Sequence, residues 1–159
     1  MTDTVVTTEE QIVTTSVSEL AVLTMGQQGP AGPAGPSGGT GYTYPASTGS
    51  ISGHRVVTFD AQHRVKYASN DTVAHANQIV GVTKNAAMEN DQVEVVRSGE
   101  ITEPSWNFTP NLPVYLGHNG YLTQTPPSPA DAVFSVVIGF PITSTTLFVS
   151  IGNPIILTA

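Results

Sequence analysis

The sequence predicts an all-β protein in three parts: an extended N-terminal anchor, a short collagen-like stem, and a compact β-barrel or β-sandwich head. Three observations carry this reading. The 159 residues include 21 threonines, 19 valines and nine isoleucines. These β-branched side chains are stiff at χ1 and suit a pleated surface better than a helix. Glycine recurs at every third position from Gly26 to Gly41. From Ile51 onward, short apolar runs alternate with turn signals, the pattern of a small barrel or sandwich.

Residues 1–25 are polar and β-prone, with no glycine or proline before Gly26. A segment this short cannot offset its own ordering entropy by self-packing. Its apolar residues Ile12, Val13, Val17, Leu20, Val22 and Leu23 favour docking by strand addition over a solvated tail. Residues 26–43 form six Gly-X-Y triplets on Gly26, Gly29, Gly32, Gly35, Gly38 and Gly41, with Pro30, Pro33 and Pro36 at X. In a collagen triple helix three polyproline-II chains meet at an axis where only glycine fits. At about 3.1 Å per residue the run would make a rod of ~55 Å. The same composition also suits a single-chain linker. The wound stem requires a homotrimer already held together by a neighbouring domain, since six triplets are too few to trimerise alone.

The head is assigned to residues 44–159, with 44–54 a linker into it. Strands are expected at Arg55–Phe59, Arg64–Tyr67, Gln78–Thr83 and Asp91–Arg97, the last alternating apolar and polar residues. Ser98-Gly99 interrupts it, and Glu100–Thr102 is expected to resume it past a bulge. Pro113–Leu116 and Tyr121–Thr123 read as a hairpin, with Asn119-Gly120 supplying positive φ. Val133–Ile138, Thr145–Ile151 and Pro154–Leu157 follow. One short helical turn is expected around Thr72–Asn77 or Asn85–Asn90.

Chemistry-bearing patterns are sparse. Net charge is −7, charged residues are 11% of the chain, and the two lysines, Lys66 and Lys84, form no basic run. A usual soluble domain carries about 25% charged residues, and nucleic-acid binding needs clustered Lys and Arg, so no nucleic acid is expected as a partner. The absence of cysteine excludes disulfides and thiolate chemistry. No apolar run approaches ~18 residues, so no membrane insertion is expected. Met1-Thr-Asp-Thr-Val-Val lacks the basic flank of a Sec signal. The Gly-rich run has the wrong period for a dinucleotide turn and lacks the Lys-Ser/Thr of a phosphate loop. His54, His63, His75 and His118 are scattered and read as solvent-facing turn residues; Glu89/Asp91 and Glu100/Glu103 read as solvated acids. Hence no catalytic, cofactor-binding or metal residues are expected, and the protein is not expected to be an enzyme. Trp106, in a loop bracketed by Pro104 and Pro110, either anchors that loop to the core or stacks on a sugar. Together with Tyr115 and Tyr121 it makes the candidate ligand surface.

The order of a β-prone anchor, the run Gly29-Pro30-Ala31-Gly32-Pro33-Ala34-Gly35-Pro36 and a β head resembles bacteriophage virion appendages: short tail fibres, head fibres and capsid decoration proteins. Ser52-Gly53-His54-Arg55-Val56-Val57, Ile79-Val80-Gly81-Val82-Thr83, Leu112-Pro113-Val114-Tyr115-Leu116 with Asn119-Gly120, and Val137-Ile138-Gly139 are similar to small β modules of those proteins. The resemblance implies a non-enzymatic, homotrimeric structural protein at the virion surface, assembled in the host cytoplasm. It implies docking through residues 1–25 to a major capsid protein or a tail or adaptor protein. A carbohydrate-binding adhesin or tail-fibre tip contacting a host-surface glycan is the alternative it leaves open.

Overall fold

The computed structural model describes residues 41–47 and 49–158. The anchor residues Ile12, Val13, Val17, Leu20, Val22 and Leu23, and the glycines from Gly26 to Gly38, lie outside the described residues. What is described is antiparallel β structure with almost no helix. The strands are β1 (Gly41–Pro45), β2 (Val56–Phe59), β3 (Val65–Tyr67), β4 (Ile79–Thr83), β5 (Gln92–Val96), β6 (Ser98–Thr102), β7 (Val114–Leu116), β8 (Leu122–Thr123), β9 (Phe134–Ser135), β10 (Val137–Pro141), β11 (Thr146–Ser150) and β12 (Ile155–Ile156). A 3-10 turn at Val73–His75 falls within the first expected helical turn. No helix forms at Asn85–Asn90, where Asn90 instead takes a left-handed φ of 67°.

The strands form two five-stranded sheets, ordered β1-β5-β4-β2-β3 and β6-β11-β10-β7-β8, and a β12-β9 pair. The second order is the first repeated: β1, β2, β3, β4 and β5 correspond to β6, β7, β8, β10 and β11. Register confirms the duplication pair by pair. Phe59 faces Val65 as Leu116 faces Leu122. Thr58 faces Ile79 as Tyr115 faces Val137, each beside a register shift. Val82 faces Val96 as Phe140 faces Phe148. The left-handed residues repeat too: His54 (φ 60°) matches Asn111 (φ 66°), and His63 (φ 60°) matches Gly120 (φ 75°).

One expectation is corrected at the start of the head. Gly41, read as the last stem glycine, is the first residue of β1, and Tyr44-Pro45, read as linker, complete that strand. Tyr42 faces Val95 and Tyr44 faces Val93 in antiparallel register. Pro45 is tolerated because β1 lies at the edge of its sheet, where a missing N–H costs little. Its counterpart stretch keeps the same spacing: Thr43-Tyr44-Pro45 corresponds to Thr102-Glu103-Pro104.

The first half curls almost into a barrel. Past β1, Ala46 makes a parallel bridge to Val65 at the opposite edge, and the Ser47 N–H donates to the Val65 carbonyl at 2.8 Å. The Ser47 hydroxyl donates to Asp60 at 2.7 Å. Partial burial would raise the Asp60 carboxyl, but this bond, the Arg64 and Gln62 N–H groups and the Arg64 side chain together hold it well below the ordinary carboxylate range. An ionised Asp60 therefore ties the β2–β3 turn to the segment after β1.

Two apolar clusters follow from the register. Val57, Val65, Val80, Val93 and Val95 fill the first half with Ala46 and Ile51. Ile101, Val114, Leu116, Phe134, Ile138, Leu147 and Val149 fill the second, and Val56, Val82 and Val96 of the first sheet's other face join them. The first sheet is thus buried on both faces, which explains the unbroken pairs Val56-Val57 and Val95-Val96. Each such valine contributes about 1.5–3 kcal/mol by leaving water.

Candidate ligand-binding groove

The junction of the two halves builds an open groove of ≈ 480 Å³, lined by residues that include His54, Arg55, Glu103, Trp106, Phe108 and Tyr121. Its first wall comes from the residues leading into β2. His54 has a left-handed backbone, and Arg55 is held by its own N–H donating to the Thr83 hydroxyl at 3.0 Å. The opposite wall is the β7–β8 hairpin. Gly120 sits so close to β2 that a Cβ there would lie 2.6 Å from the Val56 carbonyl oxygen, and its φ is 75°. This close approach sets the Arg55 guanidinium over the Tyr121 ring at 3.3 Å from its centroid. The guanidinium also donates to the Asn119 carbonyl at 3.3 Å. A cation on an aromatic face contributes about 0.5–1 kcal/mol at an exposed site.

The floor is the loop after β6. The Trp106 N–H donates to the Glu103 carbonyl at 3.0 Å, and the Phe108 N–H to the Ser144 carbonyl at 2.9 Å. Trp106 is half-buried. It packs against the second core and meets Phe108 at 5.1 Å and the His54 ring edge-on at 5.4 Å. It therefore anchors its loop and also presents a flank to the groove. The His54 Nδ1 lies 3.0 Å from a Glu103 carboxylate oxygen. The Ser105 N–H and hydroxyl, opposed by slight burial and aided by the His54 charge, hold the Glu103 carboxyl below its ordinary value.

This arrangement orients a carboxylate and does not activate a nucleophile. An activated serine needs the imidazole as its base; here Ser105 and His54 both bond the same Glu103 carboxylate. A flat aromatic surface beside fixed donors and acceptors suits a polyhydroxylated ligand, with a ring face for stacking and a carboxylate, guanidinium and imidazole for hydroxyls.

Of the three aromatic residues singled out in the sequence, the structure brings Trp106 and Tyr121 into one groove. Tyr115 is on β7, facing Val137 and Thr123, and does not line it. His54 and His118, expected to be turn residues facing solvent, each meet an acid distant in sequence: Glu103, and Asp71 at 3.1 Å. The pairings of His54 with Glu103 and of Arg55 with Tyr121 carried no local signal, because they span 49 and 66 positions of the chain. Among the described residues no group of three or more His, Asp or Glu could hold a metal ion, and no helix is long and apolar enough to cross a membrane. Neither a protein-family model nor a curated protein sequence matches the chain.

Proposed function

We propose that the protein is a non-enzymatic bacteriophage structural protein: a homotrimeric fibre or decoration appendage that displays a β head at the virion surface. Residues 1–25 attach to capsid or tail proteins, and the Gly-X-Y run forms the stem. The observation that supports this most is the strict glycine period of residues 26–41, with three prolines in register, leading directly into a β head. Such a role asks for a tether, an assembly contact and a durable surface, with no cofactor. Deleting residues 1–25 is expected to abolish incorporation into particles while leaving the β circular-dichroism signal of the head unchanged. Particles that carry the shortened chain at the full level would remove the anchor role.

The groove favours a second reading, in which the head also binds a host-surface glycan. Trp106 and Tyr121 supply stacking faces beside Arg55 and Glu103. Stacking on an aromatic side chain is lost on truncation, so Trp106→Ala and Tyr121→Ala should each weaken glycan-array binding at least tenfold. The absence of any glycan signal from the intact chain would refute this reading.

A further inference from the structure

Of the five Lys and Arg residues in the chain, three are engaged within the fold. Arg64 pairs with Asp60 at 3.0 Å, Lys84 pairs with Glu94 at 3.1 Å, and Arg55 lies on the Tyr121 ring. Lys66 and Arg97 have no carboxylate within 4 Å among the described residues. Both are exposed, and both line one open groove of ≈ 560 Å³. A chain of net charge −7 thus gathers its two unmatched cations at one place. The fold brings them there. Lys66 is on β3 and Arg97 follows β5, with β2 and β4 between those strands in the sheet. Lys66 faces Thr58, which in turn faces Ile79 of the groove wall. The Arg97 guanidinium lies 5.7 Å from the centre of the Tyr42 ring, within reach of a cation–π contact that orients it.

Asp60 also lines this groove, but its carboxylate is already engaged. One oxygen accepts from the Gln62 and Arg64 N–H groups, the other from the Ser47 hydroxyl and the Arg64 Nε. Arg64 matches its charge, so the groove keeps the two positive charges of Lys66 and Arg97. Neutral groups complete the lining. The Phe59 and His63 rings sit 6.1 Å apart and offer an aromatic surface. Asn77 and Gln78 are exposed, and a carboxamide can both donate to and accept from a hydroxyl.

We propose that this groove binds a carboxylate-bearing saccharide, a glycan carrying a sialic or uronic acid, with its negative charge held by Lys66 and Arg97 and its hydroxyls by Asn77 and Gln78. Arg97 offers the planar fork that matches a carboxylate, and Lys66 adds a compact point charge. A sugar ring can lie against the Phe59–His63 surface. A phosphate dianion would set two negative charges beside the ionised Asp60, whereas a carboxylate sets one. The groove shares no lining residue with the Trp106–Tyr121 groove. The site therefore stands whether or not that groove binds a glycan.

The test is a glycan array that displays sialylated, uronate-bearing, sulfated, phosphorylated and neutral glycans, probed with the full-length protein. Carboxylated glycans should give the strongest signals, and methyl esterification of their carboxylates should abolish them. Lys66→Gln and Arg97→Gln should each cut those signals at least tenfold, with thermal midpoints showing that the fold is kept. Raising salt from 50 to 200 mM should weaken them, because exposed charges are screened. Trp106→Ala should leave them in place. Four results would each overturn the proposal: no carboxylated glycan bound, another glycan class bound as strongly, binding that survives esterification, or binding that survives either charge substitution. Signals lost in Trp106→Ala and kept in both charge variants would assign the glycan to the other groove and end this proposal alone.

Discussion

Replacing Phe134 by alanine is expected to lower the free energy of unfolding by about 3–5 kcal/mol. The ring is fully buried in the second core, the largest of the side chains with under 2% exposure. Its backbone is pinned between the halves: the Val133 and Phe134 N–H groups donate to the Asn70 carbonyl at 2.9 and 3.3 Å. Sheet and loop walls fixed in this way cannot collapse into the space the ring leaves, so the cavity cost adds to the transfer cost. Phe148→Ala, on the exposed face of the second five-stranded sheet, removes an identical ring and should cost far less. Urea unfolding with matched m values checks the comparison. A loss below 1 kcal/mol for Phe134→Ala would contradict this placement of the core.

Gly139→Ala should destabilise by an amount at or above the upper end of the ~1–3 kcal/mol usual for overpacking. A Cβ on Gly139 would run into the Phe148 carbonyl oxygen, and its counterpart Gly81 meets the Val96 carbonyl oxygen in the same way. Backbone cannot rotate aside as a side-chain tip can, so strands must separate to make room. Gly53→Ala is the control, since its nearest neighbours are at ordinary contact distances of 3.4 Å and beyond. Thermal midpoints should therefore fall sharply for Gly139→Ala and Gly81→Ala and barely move for Gly53→Ala. Equal midpoints across the three variants would contradict the close strand approach.

Much of the strand content was legible from the sequence because local pattern and burial agree there. Val93 and Val95 alternate with polar residues and face the core, and Asn119-Gly120 turns its hairpin with φ values of 50° and 75°. β1 was hidden because Gly41 continues the glycine period and Pro45 argues against a strand. The duplication was hidden because its two copies face different surroundings. Val82 and Val96 are buried by the other half, whereas Phe140 and Phe148 lie open, so the residues diverged while the pairing did not. What survives is short: Thr43-Tyr44-Pro45 beside Thr102-Glu103-Pro104, and Val80-Gly81-Val82 beside Ile138-Gly139-Phe140. The two fragments recur 59 and 58 positions apart, so no single repeat period joins them. The groove was half legible. Trp106 and Tyr121 stand out as large aromatics, but only the hairpin's approach to β2 brings Arg55 over Tyr121 and places both beside the His54–Glu103 pair.

The glycine period carries the proposed architecture, and its direct test is the mass of the purified full-length chain in solution. Sedimentation equilibrium at micromolar concentration should return three chains, and Gly32→Ala should weaken that association without unfolding the head, because only glycine fits the triple-helix axis. A single-chain mass across the same concentration range, unchanged by Gly32→Ala, would contradict the trimeric stem.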